Sequence, residues 1–434
     1  MNTPRETFIR PRGLQVSHSR YYADSILNIN SLSYPLASMN HKDVGLCLLQ
    51  YLHSQFFASM EAKIPQTHRA IILKSVERDL SGVHLENIAT PEVETGSAIV
   101  RILSAAVLSY QRAIYDGRRD YPLPTPLVGG FCAVGRVVAL GRDAVALETG
   151  QLVFLDCVIR GRDDLDAIIL SGISDGFNEN AQKLMRDVWR DGLFAEYAKF
   201  PLESCVALNE TRLCHELGYT VQDLAYLGYL LVAFGGFRDI KLEPGETVAI
   251  CPATGGFGGA GVQVAIAMGA RVIAMGRNGQ ELERLRKHIL SGTPGASIET
   301  VTITGDENED SAALLNFGAI DAVLDFSPAA ASKSAHLNSA IKALRRKGRV
   351  SLMGGFHDGP LPSFRIIAND ITIKGKFMYE RDDMAQFVRM LERGLFPKGQ
   401  NFVIAKSFSL DDWKSALDMA ADYTGAGRLV VITP

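Results

Sequence analysis

The stretch that decides the fold is TVAICPATGGFGGAG, residues 247–261. Its first five residues, Thr247–Cys251, are apolar or favour strands, and they predict a buried strand that runs into a glycine-rich turn. Within the turn, Gly256, Gly258 and Gly261 fit the spacing G-x-G-x-x-G. The first glycine permits a tight turn, the second lets the backbone approach a pyrophosphate, and the third lets helix pack on strand. The stretch therefore predicts a dinucleotide-binding loop.

A helix predicted over Val262–Met268 would direct its N-terminal amides toward the phosphates. Thr254 and Phe257 stand in the same turn, and we predict that they contact the cofactor together with the three glycines. A glycine turn with a purely structural purpose is the alternative. The order strand, motif, helix and next strand favours the dinucleotide site.

The end of the next predicted strand indicates which dinucleotide binds. An NAD enzyme usually has Asp or Glu there to hold the ribose 2′-hydroxyl, but this chain has Gly276, Arg277 and Asn278. Glycine leaves room for a 2′-phosphate, and a guanidinium provides the fork of donors that a phosphate favours. A solvated loop cation is the alternative for Arg277. We predict NADP, with these three residues at its adenosine end.

Strands and helix-length segments alternate from about Asp223 onward, which predicts a parallel sheet with helices on both faces. From His68 to that point, short apolar runs bounded by turn residues predict a compact, barrel-like β-domain. The strands predicted for the parallel sheet are Thr247–Cys251, Arg271–Met275, Thr300–Ile303, Ala319–Asp325, Arg349–Met353 and Ile371–Lys376. Those predicted for the β-domain include Ala70–Leu73, Ser97–Leu103, Ala133–Leu140 and Gln151–Phe154, and a helix over Asp411–Ala421 and a strand over Arg428–Ile432 come last.

Composition excludes several classes of protein. The 434 residues include 45 basic and 48 acidic side chains, for a net charge of −3, and 47% of all residues are hydrophobic. This is the composition of a soluble globular protein, and it excludes a disordered chain, a collagen and a coiled-coil rod. Without a basic excess, nucleic acid is not expected as a partner. The longest uncharged stretch, Thr247–Ala270, contains Pro252 and many glycines, so no membrane span is expected.

The six cysteines include no C-x-x-C pair, so neither a zinc ribbon nor a disulfide framework is indicated. A reducing compartment, the cytoplasm, is the plain expectation. Residues 1–65 differ from the rest and are predicted to be a poorly ordered extension. Because the first twenty residues carry four Arg and one Glu, a mitochondrial presequence is the alternative, and Met60 as the true start is another.

Over residues 66–434 the chain resembles the medium-chain dehydrogenase/reductase superfamily. The motifs that carry the resemblance are PLVGG (126–130), DGLFAEY (191–197), the loop over 253–261, GRVSLMGG (348–355) and GRLVVITP (427–434). The resemblance implies a GroES-like catalytic domain over 66–207 and a Rossmann NADP-binding domain over 208–380. Residues 381–434 are then expected to return to the catalytic domain, with the active site in the cleft between the two domains.

Departures from the family pattern concern zinc. The zinc enzymes of the superfamily carry Cys where this chain has Leu108, and His-Glu where it has Phe131 and Cys132. Leucine and phenylalanine cannot ligate zinc. The region that corresponds to the structural-zinc lobe, 159–190, contains no cysteine. We therefore predict a site without metal, in which Leu108 and Phe131 line an apolar substrate pocket; an isolated Cys132 as a metal ligand is the alternative.

Without zinc, another group must stabilise the negative charge that hydride transfer builds on oxygen. The resemblance puts Tyr110 at or near the position of a proton-relay Ser or Thr, and we predict that it is the catalytic proton donor. A core tyrosine with a satisfied hydroxyl is the alternative, and Tyr121 is a weaker candidate. At the nicotinamide end, Ser327, Met353 and Gly354 are predicted to border the cofactor, and His357 is predicted to be an exposed loop histidine.

The function predicted is that of an NADPH-dependent, zinc-independent oxidoreductase for a carbonyl, quinone or conjugated enone. Its expected partner is a small-molecule substrate. Members of the family often dimerise through an edge strand of the Rossmann sheet, so the resemblance also suggests a homodimer. An NADP-linked alcohol dehydrogenase and a cofactor-binding protein without catalysis are the alternatives. A serine hydrolase is a distant third, because Gly172, Ser174 and Gly176 match G-x-S-x-G outside the predicted parallel sheet.

Overall fold

A computed structural model describes residues 64–355 and 361–434. The predictions for the N-terminal extension, including the presequence and Met60, and the prediction for His357 concern residues outside these ranges. Residues 64–434 belong to one compact unit. None of the helices within the described ranges is long and apolar enough to cross a membrane.

The strands, in chain order, are β1 (Thr67–Leu73), β2 (Val83–Ala89), β3 (Ser97–Val107), β4 (Leu127–Val128), β5 (Ala133–Leu140), β6 (Leu152–Leu155), β7 (Val158–Arg160), β8 (Ile168–Leu170), β9 (Tyr197–Pro201), β10 (Cys205–Ala207), β11 (Thr247–Cys251), β12 (Arg271–Gly276), β13 (Ile298–Thr302), β14 (Ile320–Asp325), β15 (Leu344–Leu352), β16 (Thr372–Gly375), β17 (Ile404–Phe408) and β18 (Arg428–Ile432).

The α-helices are α1 (Gln111–Tyr115), α2 (Glu179–Asp187), α3 (Val221–Leu224), α4 (Leu227–Asp239), α5 (Gly256–Ala267), α6 (Gly279–Gly292), α7 (Glu307–Leu315), α8 (His336–Ala343), α9 (Ser363–Ala368), α10 (Arg381–Glu392) and α11 (Trp413–Asp422). Short 3₁₀ turns and one π-helical segment, Thr211–Glu216, complete the secondary structure of the described residues.

The parallel sheet has the order β13-β12-β11-β14-β15-β16. Every residue of β11 is buried, as expected for a central strand covered by helices on both faces. Strand order reverses between β11 and β14, and in open α/β sheets ligands bind beyond the carboxyl ends of the strands at this point. The fold class predicted from the alternating pattern, a doubly wound parallel sheet, is confirmed.

The other domain is antiparallel in most of its pairings. Its larger sheet runs β10-β6-β5-β3-β18-β17, with β9 also on β3, and a smaller sheet runs β2-β1-β4. The late strand β18 pairs with β3, with Val430 opposite Val107, so residues far along the chain complete this sheet. Helix α10 stays with the parallel-sheet side, where the Phe387 ring meets the Phe234 ring of α4 with centroids 5.2 Å apart.

Most predicted bounds differ from the observed ones by one to four residues, and two starts differ by more. Helix α5 begins at Gly256 and not at Val262, so the glycine motif forms the first turns of the helix itself. Strand β15 begins at Leu344, five residues before the predicted Arg349. The intervening basic residues concealed this start from a hydropathy pattern, although Leu344 itself is buried and pairs with Ile320.

Candidate active site

The glycine loop forms a tight βα turn at the end of β11. Gly255 is the N-cap of α5, with extended backbone and no side-chain cap. The first amides of a helix have no partner within it, so the first turn from Gly256 offers free N–H groups and the positive end of the helix dipole. A phosphate is the group that such a turn accommodates best.

The glycines at which a side chain would clash with its neighbours are not the ones predicted. A Cβ on Gly258 would lie 2.0 Å from the carbonyl oxygen of Pro252, and one on Gly259 would lie 2.4 Å from the amide nitrogen of Ala426. A Cβ on Gly261 would meet its neighbours at 3.4 Å, an ordinary contact. The packing role predicted for Gly261 is therefore wrong for this chain, and Gly258 has it instead, because the helix begins earlier than expected.

The three residues predicted to hold the adenosine end lie together at the carboxyl end of β12. A Cβ on Gly276 would lie 2.8 Å from Cγ2 of Thr254, so this strand end adjoins the glycine loop. Arg277 is exposed, and within the described ranges it has no hydrogen bond or ion pair. Asn278 caps α6, because its Oδ1 accepts from the amides of Gln280 and Glu281, and its predicted contact with the cofactor stays a prediction.

Ser327, Met353 and Gly354 lie at the carboxyl ends of β14 and β15. A Cβ on Gly354 would lie 2.3 Å from the carbonyl oxygen of Ser327, which brings these two segments into contact. The Ser327 hydroxyl is buried and donates to Oδ1 of Asp325 at 2.6 Å. Met353 packs its sulfur against Gly236 of α4. Backbone at this edge, more than these side chains, is thus available to a cofactor.

Tyr110 joins the antiparallel domain to the glycine loop. It is the N-cap residue of α1, and the next residue, Gln111, is buried and donates to the carbonyl oxygen of Gly130 at 2.8 Å. The Tyr110 ring lies with its centroid 6.5 Å from that of Phe257 and 6.3 Å from that of Tyr121. Burial raises the pKa of Tyr110 well above its usual value, so the hydroxyl remains a proton donor.

Aromatic rings continue from this point into the core. Phe257 lies 4.8 Å from Tyr229, and Tyr229 lies 6.1 Å from Phe131, measured between ring centroids. Leu108 and Phe131 are both almost fully buried, at 1% and 2% exposure. The two residues predicted to form an apolar pocket therefore lie behind the rings that line the glycine loop.

A segment that sequence reasoning missed covers the glycine loop from the other side. Ala426 contacts Gly259 as described above, and Arg284 of α6 directs its Nη1 to the Ala426 carbonyl oxygen at 3.3 Å. Arg284 and Arg428 both pair with Glu281, at 2.7 and 3.8 Å. Gly425 and Gly427 both have positive φ, and this pair of glycines is the sequence feature that could have indicated a tight turn here.

The prediction that Cys132 is isolated is wrong. Cys132, Asp156 and Cys157 each offer a ligand atom, and these atoms lie within 4.8 Å of one another in the buried core. Burial raises the pKa of the Cys157 thiol and raises the pKa of Asp156 to about 7. The missed signal was strand pairing, because Cys132 and the adjacent pair Asp156 and Cys157 flank the paired strands β5 and β6 but are distant in sequence.

The serine-hydrolase motif has no support in the geometry. Ser174 follows β8, which belongs to a two-stranded antiparallel sheet with β7 and not to the parallel sheet. Among the described residues its hydroxyl accepts only from the Gly176 amide, at 3.3 Å. A nucleophile elbow requires a strand of the parallel sheet and a histidine within reach.

Comparisons with known proteins identify the family to which this fold belongs. A family model described as "Alcohol dehydrogenase GroES-like domain" matches residues 94–210, and one described as "Zinc-binding dehydrogenase" matches residues 256–393. The chain is 24% identical to Alcohol dehydrogenase 2 of Caenorhabditis elegans over 378 residues, which cover 85% of this chain and 98% of that protein. It is 26% identical to an alcohol dehydrogenase of Geobacillus stearothermophilus over 324 residues, which cover 74% and 88%.

Solved structures share the fold at lower identity. A zinc-binding-type dehydrogenase from Sinorhizobium meliloti 1021, bound to NADP, has a TM-score of 0.65 and 19% identity, with 85% of this chain and 100% of that chain covered. An alcohol dehydrogenase from Escherichia coli CFT073, complexed with NADH, has a TM-score of 0.66 and 16% identity, with the same coverage. Fold and family models together define an oxidoreductase of the alcohol dehydrogenase type. The chain belongs to the medium-chain dehydrogenase/reductase superfamily.

The family name implies zinc, and the positions at which the resemblance puts zinc ligands do not fit it. Leu108 and Phe131 have hydrocarbon side chains, whereas zinc takes thiolate, imidazole or carboxylate. Both side chains pack into the core and leave no donor atom at these positions. These two positions therefore cannot hold a metal for the reaction.

Proposed function

We propose that this protein is an NADPH-dependent oxidoreductase that transfers hydride between the nicotinamide and a carbonyl, quinone or conjugated enone, without zinc at positions 108 and 131. The contact between Tyr110 and Phe257 carries the proposal. It joins the predicted proton donor to the loop predicted to hold the cofactor. A reductase needs these two elements side by side, because hydride and proton must reach neighbouring atoms of one substrate.

Support for a nicotinamide cofactor comes from the relatives of known structure, which were solved with NADP and with NADH. The preference for NADPH rests on this chain alone. β12 ends in a glycine and not in a carboxylate, and the exposed Arg277 has no partner among the described residues. A 2′-phosphate would give that guanidinium two charge-assisted hydrogen bonds.

Each group in the cleft has a proposed task. The bound cofactor supplies the hydride. Tyr110 donates its hydroxyl proton to the substrate oxygen that becomes negative, and solvent then reprotonates the phenolate. Leu108, Phe131 and Tyr229 keep water away from the reacting carbon, because their buried surfaces are apolar. The helix N-terminus at Gly256 binds the pyrophosphate.

The test is NADPH consumption by the purified protein against an aldehyde, a quinone and an enone, with a chelator present. Turnover of one of the three identifies the reaction type and shows that the chemistry needs no exchangeable metal. NADPH binding without turnover of any of them would contradict the proposal in favour of a cofactor-binding protein without catalysis. Oxidation of an alcohol with NADP, and no reduction, would favour the alcohol dehydrogenase alternative.

We also propose that the protein is a homodimer paired through β16, the edge strand of the parallel sheet. An unpaired edge presents free backbone donors and acceptors, and a second copy satisfies them. Helix α9, which precedes this edge, exposes Phe364 and Ile367, at 83% and 76%. Two large apolar side chains beside an open strand support an interface there.

A further inference from the structure

Strand pairing brings together three potential metal ligands that the sequence separates. Ala133 at the start of β5 pairs with Leu155 at the end of β6. The residues just outside this pair are Cys132 on one strand and Asp156 on the other, with Cys157 next to it. The antiparallel register therefore puts two thiols and a carboxylate at one end of the strand pair, and all three residues have 0% exposure.

The carboxylate of Asp156 is held by one oxygen only. Its Oδ1 accepts from the hydroxyl of Tyr379 and from the amide of Val158, the latter at 3.1 Å. Its Oδ2 is buried and has no hydrogen-bond partner in the described part of the chain. Because an unpaired buried carboxylate oxygen is costly, this atom indicates that a ligand of positive charge is missing.

A second cluster of the same kind lacks this feature. Cys251, Asp325 and His336 also offer ligand atoms within 4.8 Å of one another. There, however, Oδ1 of Asp325 accepts from the Ser327 hydroxyl at 2.6 Å, and Oδ2 accepts from the Ser327 amide at 3.1 Å. His336 has Ser327 Oγ and Ser334 Oγ each at 2.6 Å from its two ring nitrogens. This network is complete as it stands, and it gives no sign of a missing ion.

We propose that Cys132, Asp156 and Cys157 bind a divalent metal ion, with zinc as the expected ion. Two thiolates and one carboxylate are a donor set that zinc accepts, with bonds of about 2.3 Å to sulfur and about 2.0–2.2 Å to oxygen. In a tetrahedral site such bonds hold ligand atoms about 3.5–3.8 Å apart, and the ligand atoms of this cluster lie within 4.8 Å of one another. A water molecule is the fourth ligand.

The surroundings of the cluster fit such a site. The Tyr379 hydroxyl fixes the carboxylate through Oδ1 and leaves Oδ2 for the metal, which is the usual task of an outer partner. Arg160 donates to the carbonyl oxygen of Tyr379 at 2.6 Å and brings positive charge near the anionic ligands. The three ligand residues are fully buried, and the site differs from the family positions at Leu108 and Phe131.

Its expected effect is structural. Tyr379 follows the edge of the parallel sheet, and a Cβ on Gly235 of α4 would lie 2.6 Å from the Tyr379 Cβ. Through Asp156 and Tyr379, the metal would thus link the β5–β6 end of the antiparallel domain to the Rossmann domain and stabilise the contact between them. This inference does not depend on the proposed reaction.

The test is the metal content of protein produced in zinc-supplemented medium, measured by mass spectrometry. We expect about one zinc per chain in the wild type and almost none in Cys132→Ser and Asp156→Asn. The control is Cys205→Ser, which removes a free buried thiol outside the cluster and should keep the metal. Cobalt in place of zinc should give a thiolate-to-metal charge-transfer absorption, and the two cluster variants should lose it.

A wild type without zinc, or a Cys132→Ser variant that keeps its full zinc content, would overturn the proposal. If the cysteine variants do not fold, release of zinc from the wild type by a thiol-modifying reagent decides the matter. Zinc must leave when Cys132 and Cys157, identified by peptide mass spectrometry, are modified, and zinc that stays bound after their modification counts against the site. Activity is no part of this readout, so failure of the proposed oxidoreductase function leaves it unaffected.

Discussion

The guanidinium carbon of Arg119 lies 4.1 Å from the centroid of the Tyr110 ring. A cation over an aromatic face is attracted by the ring and stabilises the phenolate. Burial acts in the opposite direction and is the larger effect, so the pKa of Tyr110 is raised. Arg119 therefore offsets part of the rise in the pKa of Tyr110, and the hydroxyl stays protonated at ordinary pH, which is the state that a proton donor needs.

Replacing the proposed proton donor tests the mechanism directly. Tyr110→Phe should lower kcat for a reducible acceptor by about 10²-fold, the usual effect of a general acid, and should leave NADPH binding unchanged. Tyr121→Phe is the matched control, because the Tyr121 ring lies edge-on to Tyr110. Steady-state kinetics on both variants decide the question. Equal kcat values for Tyr110→Phe and the wild type would remove Tyr110 from the reaction.

The raised pKa of Tyr110 predicts a pH profile. A raised pKa means that the neutral, donating hydroxyl persists to higher pH than a free tyrosine, which ionises near pH 10. The ratio of wild-type to Tyr110→Phe rates should therefore stay constant from about pH 6 to about pH 10. A ratio that declines within this range would mean that Tyr110 ionises there, contrary to the effect of its burial.

Cofactor choice depends on Arg277 in our proposal. Arg277→Asp replaces an attraction for the 2′-phosphate by a repulsion, and it should raise the Kd for NADPH by about 10²-fold while NADH changes by less than about threefold. The control Arg142→Asp makes the same change in net charge at an exposed position in the antiparallel domain. It should change neither the Kd for NADPH nor the Kd for NADH. Fluorescence titration gives both constants. Similar losses for the two cofactors would refute the NADP assignment.

The two glycines Gly258 and Gly261 should respond differently to one added methyl group. Gly258→Ala would place a Cβ against the Pro252 backbone, which cannot shift easily. It should therefore lower the free energy of unfolding by about 1–3 kcal/mol and should also weaken cofactor binding. Gly261→Ala has room and lies within a helix, so stability should rise by about 0.5–1 kcal/mol. Thermal unfolding and NADPH titration measure both. A larger loss of stability in Gly261→Ala than in Gly258→Ala would contradict the close packing of Gly258 against Pro252.

The edge strand predicts an oligomeric state. The wild type should sediment as a dimer, and the double substitution Phe364→Asp with Ile367→Asp should sediment as a monomer, because charges at the interface oppose its burial. Val145→Asp introduces a charge at a position that is 99% exposed on the other domain, and it should remain dimeric. Analytical ultracentrifugation distinguishes these outcomes. A wild type that sediments as a monomer would exclude the interface.

Prediction from the sequence succeeded where local pattern and packing agree. Strands β11, β5 and β18 have their predicted bounds, because each is an apolar run between residues that stop a strand. The helix after the glycine motif began earlier than predicted, since glycines at 256–261 read as loop when their neighbours are not known. A strong βα turn held by Gly258 against Pro252 overrides the low helix propensity of glycine.

The candidate site was less predictable, because tertiary contacts decide which groups are free. The carboxamide of Asn278 caps α6, and the Ser327 hydroxyl donates to Asp325; neither contact can be read from the sequence. Cys132 looks isolated because its neighbours are 24 and 25 positions away and arrive through the register of β5 and β6. Pairing across strands is information that a single sequence does not display.

The position of β18 beside β3 has a consequence for how the protein is made. A ribosome synthesises β3 early and Arg428–Ile432 late. The antiparallel sheet therefore lacks the strand that pairs with β3 until synthesis is almost complete. During that interval the backbone of Ala105–Val107 is unpaired along one side and can pair with another nascent chain. Chains that stop before Arg428 would keep this open edge permanently, and we expect aggregation to begin there.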